Sequence, residues 1–304
     1  MKVLITGATG LVGTALTKLL VNQGFIINYL TTSVKKIETD SNFKGFYWNP
    51  KTAEIDAKCI DGVEVIIHLA GANIAQHWTS SYKREILESR VLSTNLLFET
   101  LKKTPNQVKQ IISASGTAIY PDNNEVVYDE KFSGKSDGFL SHVVQEWEKS
   151  VDVINSLGIK VCKLRTGVVY AKNGGALQEI IKPIRLGAGS SFGTGNQIHS
   201  WIHIQDLTRI YEFALKNNLE GTFNAVSPNP ISDENLTKSI AKILKKTLFM
   251  PNIPRFIMKL ILGEMHELLF EDKKISSKKI VTQGFEFQFS TIDSALKEIL
   301  LQKN

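Results

Sequence analysis

The opening segment MKVLITGATGLVG constrains the fold more than any other stretch of the chain. Residues 2–6 form a short apolar run of strand length, and Leu11, Leu16, Leu19 and Leu20 lie at helical spacing over 11–23. Gly7, Gly10 and Gly13 stand in and just after the turn between them. The first glycine permits a tight turn, the second lets the backbone approach a pyrophosphate, and the third lets helix and strand pack closely. The helix N-terminus adds free N–H groups and the positive end of its dipole. This context predicts a dinucleotide site at Gly7, Thr9, Gly10, Leu11, Val12 and Gly13. A glycine turn that serves packing alone is the competing reading.

Further apolar runs at 25–32, 44–49, 63–71, 110–115 and 160–169 read as strands, with helices expected over 79–102 and 138–156. Strands alternating with helices of this length indicate βαβ units. Near-continuous apolar strands indicate a sheet covered on both faces. The expected fold is α/β: a Rossmann-type doubly wound parallel sheet with a smaller C-terminal α/β substrate domain. The boundary is placed near 170, with 1–170 binding the cofactor, 171–304 forming the second domain, and some later segments returning to the first. Helices are expected in the second part over 233–246 and 291–302.

The end of the second strand bears on which dinucleotide is bound. An NAD site usually puts a carboxylate there to hold the ribose hydroxyls. Residues 1–37 contain no Asp or Glu, and the strand ends in Thr31, Thr32 and Ser33, followed by Lys35 and Lys36. Hydroxyls and cations suit a 2′-phosphate, so NADP(H) is expected in preference to NAD(H). Lys35 and Lys36 as solvated loop charges remain the alternative.

The net charge of +6 raises the question of a polyanionic partner. The lysines are scattered, and the densest group, Lys273, Lys274, Lys278 and Lys279, has no interleaved aromatic residue, so nucleic-acid binding is not expected. Cys59 and Cys162 lie far apart without metal-ligand spacing and read as reduced, buried thiols. The segment 253–265 is the nearest approach to a membrane span, but it is short and carries Arg255 and Lys259. It is expected to be a core helix. With no signal-peptide pattern at residue 1, the expectation is a cytoplasmic monomer or homodimer acting on a small molecule.

The Gly-x-x-Gly-x-x-Gly turn, HLAG at 68–71 and GNQIHSWIHIQDL at 195–207 resemble the extended short-chain dehydrogenase/reductase superfamily. HWTSSYKREILESRVLSTNLL (77–97), LRTGVVYAKNGGAL (164–177), FNAVSPNPIS (223–232), LGEMHELL (262–269) and QGFEFQF (283–289) narrow the resemblance to its atypical YfcH-like epimerase group. The resemblance covers essentially the whole chain. It implies NADP(H) at the glycine loop and a substrate cleft above the C-terminal strand ends. It adds Leu69, Ala70, Gly71, Arg90 and Ser113 as cofactor-side residues. Arg90 stands where the superfamily often has a cofactor-side Asn.

The superfamily's chemistry is hydride exchange between nicotinamide and a carbinol or ketone, with a Tyr moving the proton and a Lys four residues later lowering its pKa. Aligned on Glu148, the helix GFLSHVVQEWEKS (138–150) has Leu140 and Val144 in those places, and no register restores the pair. Substitutes are sought in SASGTAIYP (113–121), where Ser115, Thr117 and Tyr120 are the candidate catalytic residues, with packing as the alternative role for Tyr120. His142 reads as a surface residue, Arg165 as a buried, paired charge, and Asp206 as a residue near a helix N-cap. Trp78 and Trp147 read as core residues. The chain is thus read as an NADP(H)-binding, epimerase-like oxidoreductase acting on a small carbonyl or sugar-type substrate. The alternative is a non-catalytic NADP(H)-binding or redox-sensing protein.

Overall fold

The structure is a computed structural model that describes residues 1–134 and 136–301. Its first strands are β1 (Lys2–Thr6), β2 (Ile26–Thr31), β3 (Phe43–Asn49), β4 (Glu54–Ile55), β5 (Val65–His68) and β6 (Gln110–Gly116). They are followed by β7 (Asn123–Tyr128), β8 (Lys160–Thr166), β9 (Val168–Tyr170), β10 (Ile198–His199), β11 (Trp201–His203) and β12 (Gly221–Ala225). The helices of this part are α1 (Leu11–Asn22), α2 (Ser80–Lys103), α3 (Phe139–Asp152), α4 (Ala176–Arg185) and α5 (Ile204–Lys216).

An eight-stranded sheet has the order β12-β8-β6-β5-β1-β2-β3-β4, parallel throughout except for β4, which pairs antiparallel to β3. The chain runs outward from β1 to β3 and then crosses back to β5. That reversal opens a crevice between the C-terminal ends of β1 and β5, where sheets of this kind bind ligands. Both faces are covered, as the apolar strand composition predicts. Val3 and Ile5 pack with Leu16, Leu20, Ile210 and Ala214 of α1 and α5 on one face. Leu4, Ile66 and Ile111 pack with Leu97, Trp147 and Val151 of α2 and α3 on the other. The late strand β12 joins the sheet edge beside β8.

The run expected as one strand over 160–169 is two, β8 and β9. Gly167 breaks it where the backbone passes so close to Ser200 that a Cβ would lie 2.3 Å from the Ser200 carbonyl oxygen. β9 then pairs with β11 in a separate two-stranded sheet.

A further core gathers Tyr170, Leu177, Ile181, Trp201, Leu236, Ile240 and Leu296. It joins α4 to α6 (Asp233–Ile243) and to the last helix, Ile292–Leu301. Residue 302, the end of the expected last helix, lies outside the described residues. The expected core helix at 253–265 is corrected. Only Arg255–Leu262 is α-helical, and Phe256, Leu260 and Ile261 are 71%, 87% and 64% exposed, leaving Met258 as its one buried residue. Among the described residues, no helix is long and apolar enough to cross a membrane.

Candidate dinucleotide and substrate cleft

The glycine turn is built as the sequence predicts. Gly7 has φ +69°, and a side chain there would put Cβ 2.9 Å from the Leu69 carbonyl carbon and oxygen. Gly10 caps α1, with its N–H donating to Gly7 O at 3.0 Å. Gly13 lies so close behind the turn that a Cβ would be 2.1 Å from Gly7 O. Gly13 therefore serves helix–strand packing from inside and is buried.

The neighbouring turn after β5 is fixed by side chains. Thr6 Oγ1 accepts the N–H groups of Leu69 and Ala70 at 3.1 and 3.0 Å and lies 2.8 Å from His68 Nδ1. A hydroxyl that already accepts twice gives its proton to Nδ1, which leaves His68 Nε2 as the N–H toward Thr94 Oγ1 at 3.1 Å. Burial, helped by the Arg90 charge, holds His68 neutral and pulls its pKa down to about 3.

Two concavities open at the crevice. The first, of about 500 Å³, is floored by Gly7, Thr9, Ala70 and Gly71 and bounded by Thr31, Thr32 and Ser33. The sequence reading missed its outer wall of Trp48, Asn49 and Pro50, with Lys51, Glu85, Ser89 and Ser93. Trp48 carried a signal, as an aromatic residue near the end of the third parallel strand, beside the second. Lys35 does not line this groove; Lys36 does. Residues 34–36 form a 3-10 turn, in which adjacent side chains diverge by a third of a revolution. Tyr29 holds that turn, donating its hydroxyl to Lys36 O at 2.6 Å and accepting Glu38 N–H at 2.8 Å. Lys51 is paired with Glu85, whereas Lys36 has no ion pair among the described residues.

The second concavity, of about 460 Å³, continues past Leu11, Val12 and Leu69 to Ala114, Ser115, Gly116 and Thr117. Its far wall is the α3 face Leu140, Val143, Val144 and Trp147, so the positions without Tyr and Lys do border the cleft. Arg90, Asn73, Thr166 and Glu271 are among its polar residues. Ser113 lines neither concavity; it is buried, and its hydroxyl donates to Ala114 O at 2.9 Å.

Behind Ser115 lies a closed charge network. Ser115 Oγ donates to Glu148 Oε1 at 2.6 Å. Arg165 donates to both Glu148 oxygens, Nε to Oε1 at 2.8 Å and Nη2 to Oε2 at 2.9 Å. Burial alone would raise the Glu148 pKa, but the bonds and charge of Arg165, with Lys163 and Ser115, outweigh it and hold the carboxyl below its usual range. Glu148 also keeps Arg165 firmly charged, against the opposing pull of burial.

The third Arg165 bond runs from Nη1 to Tyr120 OH at 2.9 Å, and Tyr120 OH donates to Asn224 Oδ1 at 2.7 Å. Tyr120 is fully buried, absent from the cleft lining, and pushed to a higher pKa chiefly by burial. The structure gives its hydroxyl a packing and bonding role and no route to a ligand in the cleft. Thr117 lines the cleft, and its hydroxyl has no hydrogen-bond partner among the described residues.

Other residues singled out from sequence fall outside this machinery. His142 is exposed. Trp78 packs edge-on against Phe139, with ring centroids 5.3 Å apart. Asp206 lies in the first turn of α5, near the N-cap as expected; His203 is the cap, accepting Gln205 N–H through Nδ1 at 3.2 Å, while the buried Asp206 carboxylate accepts the N–H groups of Gln288 and Phe289. Cys59 and Cys162 are both buried, which raises their thiols to about 12 and makes them inert. No metal-ligand cluster exists among the described residues.

A glycine turn at the switch point of a doubly wound parallel sheet, opening into a second cleft beside α3, defines an extended short-chain dehydrogenase/reductase. The chain belongs to the NAD dependent epimerase/dehydratase family, whose model matches residues 3–226, and a domain of unknown function (DUF1731) matches 253–299. It is 31% identical over 304 residues to the epimerase family protein YfhF of Bacillus subtilis, covering 100% of this chain and 99% of that one. Human epimerase family protein SDR39U1, solved with NADPH, superposes with a TM-score of 0.84 at 28% identity, covering 98% of this chain and 99% of that one. A nucleoside-diphosphate sugar epimerase from Corynebacterium glutamicum has a TM-score of 0.79 at 30% identity, covering 99% of this chain but 58% of its own.

Proposed function

We propose that the protein binds NADP(H) along the two joined concavities and acts as an oxidoreductase or epimerase on a small carbonyl or sugar-type substrate. The observation that carries this is a glycine-floored groove that meets a largely apolar cleft at Ala72, which lines both, at the sheet's switch point. Gly7, Thr9 and the α1 N-terminus would take the pyrophosphate, with Gly10 and Gly13 letting the turn close. Thr31, Thr32, Ser33 and Lys36 would take the 2′-phosphate, and no carboxylate of residues 1–37 opposes it. Leu11, Val12, Leu69, Ala70 and Gly71 would flank the cofactor as it passes into the second cleft. NADP(H), when bound, supplies or accepts a hydride. The segment 1–170, with β12 returning to its sheet, forms the cofactor-binding part of this reading, and 171–304 the rest.

The chain's own polar groups set the substrate-side chemistry. The Ser115 proton is committed to Glu148, so Ser115 presents lone pairs to the cleft and accepts from a substrate hydroxyl. Thr117 is free to donate to a carbonyl oxygen. Both line the same cleft as Leu140 and Val144. A second reading, NADP(H) binding without turnover, is favoured by the same facts. A Glu148 carboxyl held below its usual range is a poor proton store, and burial pushes the Tyr211 phenol of the cleft lining up, away from a ready proton exchange.

The test is titration of the purified protein with NADPH and NADH, followed by the NADPH complex against aldehydes, ketones and nucleotide sugars. Tighter NADPH binding with oxidation or sugar isomer exchange supports the enzyme. Tight NADPH binding with neither outcome selects the second reading. Tighter NADH binding removes the phosphate assignment.

A further inference from the structure

We infer that Arg90 is the receptor for an anionic group, carboxylate or phosphate, on the substrate of this cleft; the inference rests on the proposed function and narrows its substrate class. Arg90 projects from the middle of α2 and lines the second concavity but not the first. Its position is tightly built. Nη1 and Nη2 both donate to Ala72 O at 3.2 Å, Nη1 also donates to Ile86 O at 2.8 Å, and the guanidinium carbon lies 5.0 Å from the Trp147 ring centroid. A Cβ added at Gly71 would come within 2.9 Å of that carbon, so the glycine makes room for the guanidinium.

What Arg90 lacks is a counter-ion. No Asp or Glu reaches ion-pair distance of it among the described residues, whereas Arg165 and Lys163 both hold Glu148. Carbonyl dipoles and a ring face steer the cation but leave its charge uncompensated. Burial lowers its pKa to about 10, which still leaves it charged at neutral pH. Its Nε–H makes no bond among the described residues. Trp147, beneath it, also lines the cleft, and its indole N–H is buried without an acceptor. The free Nε–H of Arg90 therefore leaves the cleft wall with an unmet demand for an acceptor. A desolvated Arg fork is the side chain best matched to a carboxylate or phosphate.

The remaining walls limit the rest of the ligand. Leu69, Ala114, Val143 and Val144 favour a largely apolar body, Ser115 and Thr117 provide for one oxygen, and the Glu271 carboxylate on the same lining disfavours further negative charge. The substrate class is therefore a small hydroxy or oxo compound bearing one anionic group.

The experiment uses benzoate, phenyl phosphate and benzamide as probes, titrated calorimetrically into the full chain with and without saturating NADPH. The expected result is at least tenfold tighter binding of one anion than of neutral benzamide, with the better anion identifying carboxylate or phosphate. Arg90→Gln should remove that preference while leaving benzamide and NADPH affinities within about twofold. Arg90→Lys should restore part of it, which separates charge from folding. Equal affinity of all three probes for the unaltered protein, or binding of none, overturns the inference. A tenfold loss of NADPH affinity in Arg90→Gln overturns it as well, because the cation would then belong to the cofactor. An anion preference without NADPH binding upholds Arg90 and defeats the cofactor assignment alone.

Discussion

Helix α3 meets a buried or half-buried arginine through each of two consecutive residues, and the two contacts differ in kind. Glu148 takes Arg165 in a two-pronged ion pair whose other bonds go to Tyr120, closing the network. Trp147 offers Arg90 only a ring face, and the remaining bonds of Arg90 go to backbone carbonyls. One charge is answered inside the fold and the other is left facing a cleft. A fully compensated charge holds structure together, while the proposed role of Arg90 rests on its lacking such compensation at a cavity wall.

The sharpest way to break this contrast is Glu148→Gln. It strands Arg165 without its carboxylate in a buried setting, while Lys163 keeps Asp152 at 2.7 Å, and losing one partner of such a pair costs about 3–5 kcal/mol. Urea unfolding at pH 7 reads it directly. A loss below about 1 kcal/mol would place the pair among surface-like contacts and dissolve the comparison. Replacing both partners, as in Glu148→Leu with Arg165→Met, should recover much of the loss, because no charge is then stranded.

A second measurement asks how far the Arg90 charge is felt. His68 is neutral when folded, with its pKa lowered from 6.5 to about 3 by burial first and by Arg90 second. The unfolded chain takes up this proton below pH 6.5 and the folded chain does not, so stability present above 6.5 is lost as pH falls toward 3, at up to ~1.4 kcal/mol per pH unit. Unfolding midpoints at pH 7.5 and 5.5 should therefore separate more in the unaltered protein than in His68→Gln, by roughly 1 kcal/mol. Arg90→Met should leave the separation nearly unchanged, because burial alone keeps the folded-state pKa well below 5.5. Identical pH dependence of the unaltered chain and His68→Gln would remove His68 from this account.

Comparable in size is the expected effect of Ser115→Ala. It deletes a hydrogen bond to a carboxylate that keeps both Arg165 bonds, at a cost of about 1–2 kcal/mol. The same substitution should abolish turnover if Ser115 accepts from the substrate, and leave NADPH affinity unchanged. Retained turnover would transfer that role to Thr117.

Much of this fold was legible locally. The strand–glycine–helix opening, the apolar strands and the missing Tyr and Lys of α3 are read from adjacent residues, because turns, periodicity and vacant positions are local properties. Gly167 splitting the expected strand at 160–169 was not legible, since its reason is Ser200, distant in sequence. Tyr120 illustrates the same limit. Its place after β6 invited a catalytic role, but Asn224 and Arg165 claim its hydroxyl from elements far along the chain. The choice of Lys36 over Lys35 turned on a single 3-10 turn fixed by Tyr29. The expected core helix at 253–265 failed because apolar periodicity predicts an apolar face, while burial needs a partner surface to cover it.

The sequence alone therefore determined the class of protein, the cofactor loop and the loss of the usual proton-moving pair. Only the tertiary structure decided which charges are answered. Ion pairing depends on distances between side chains brought from separate strands and helices, and no spacing along the chain records that Arg165 meets Glu148 while Arg90 meets no carboxylate among the described residues.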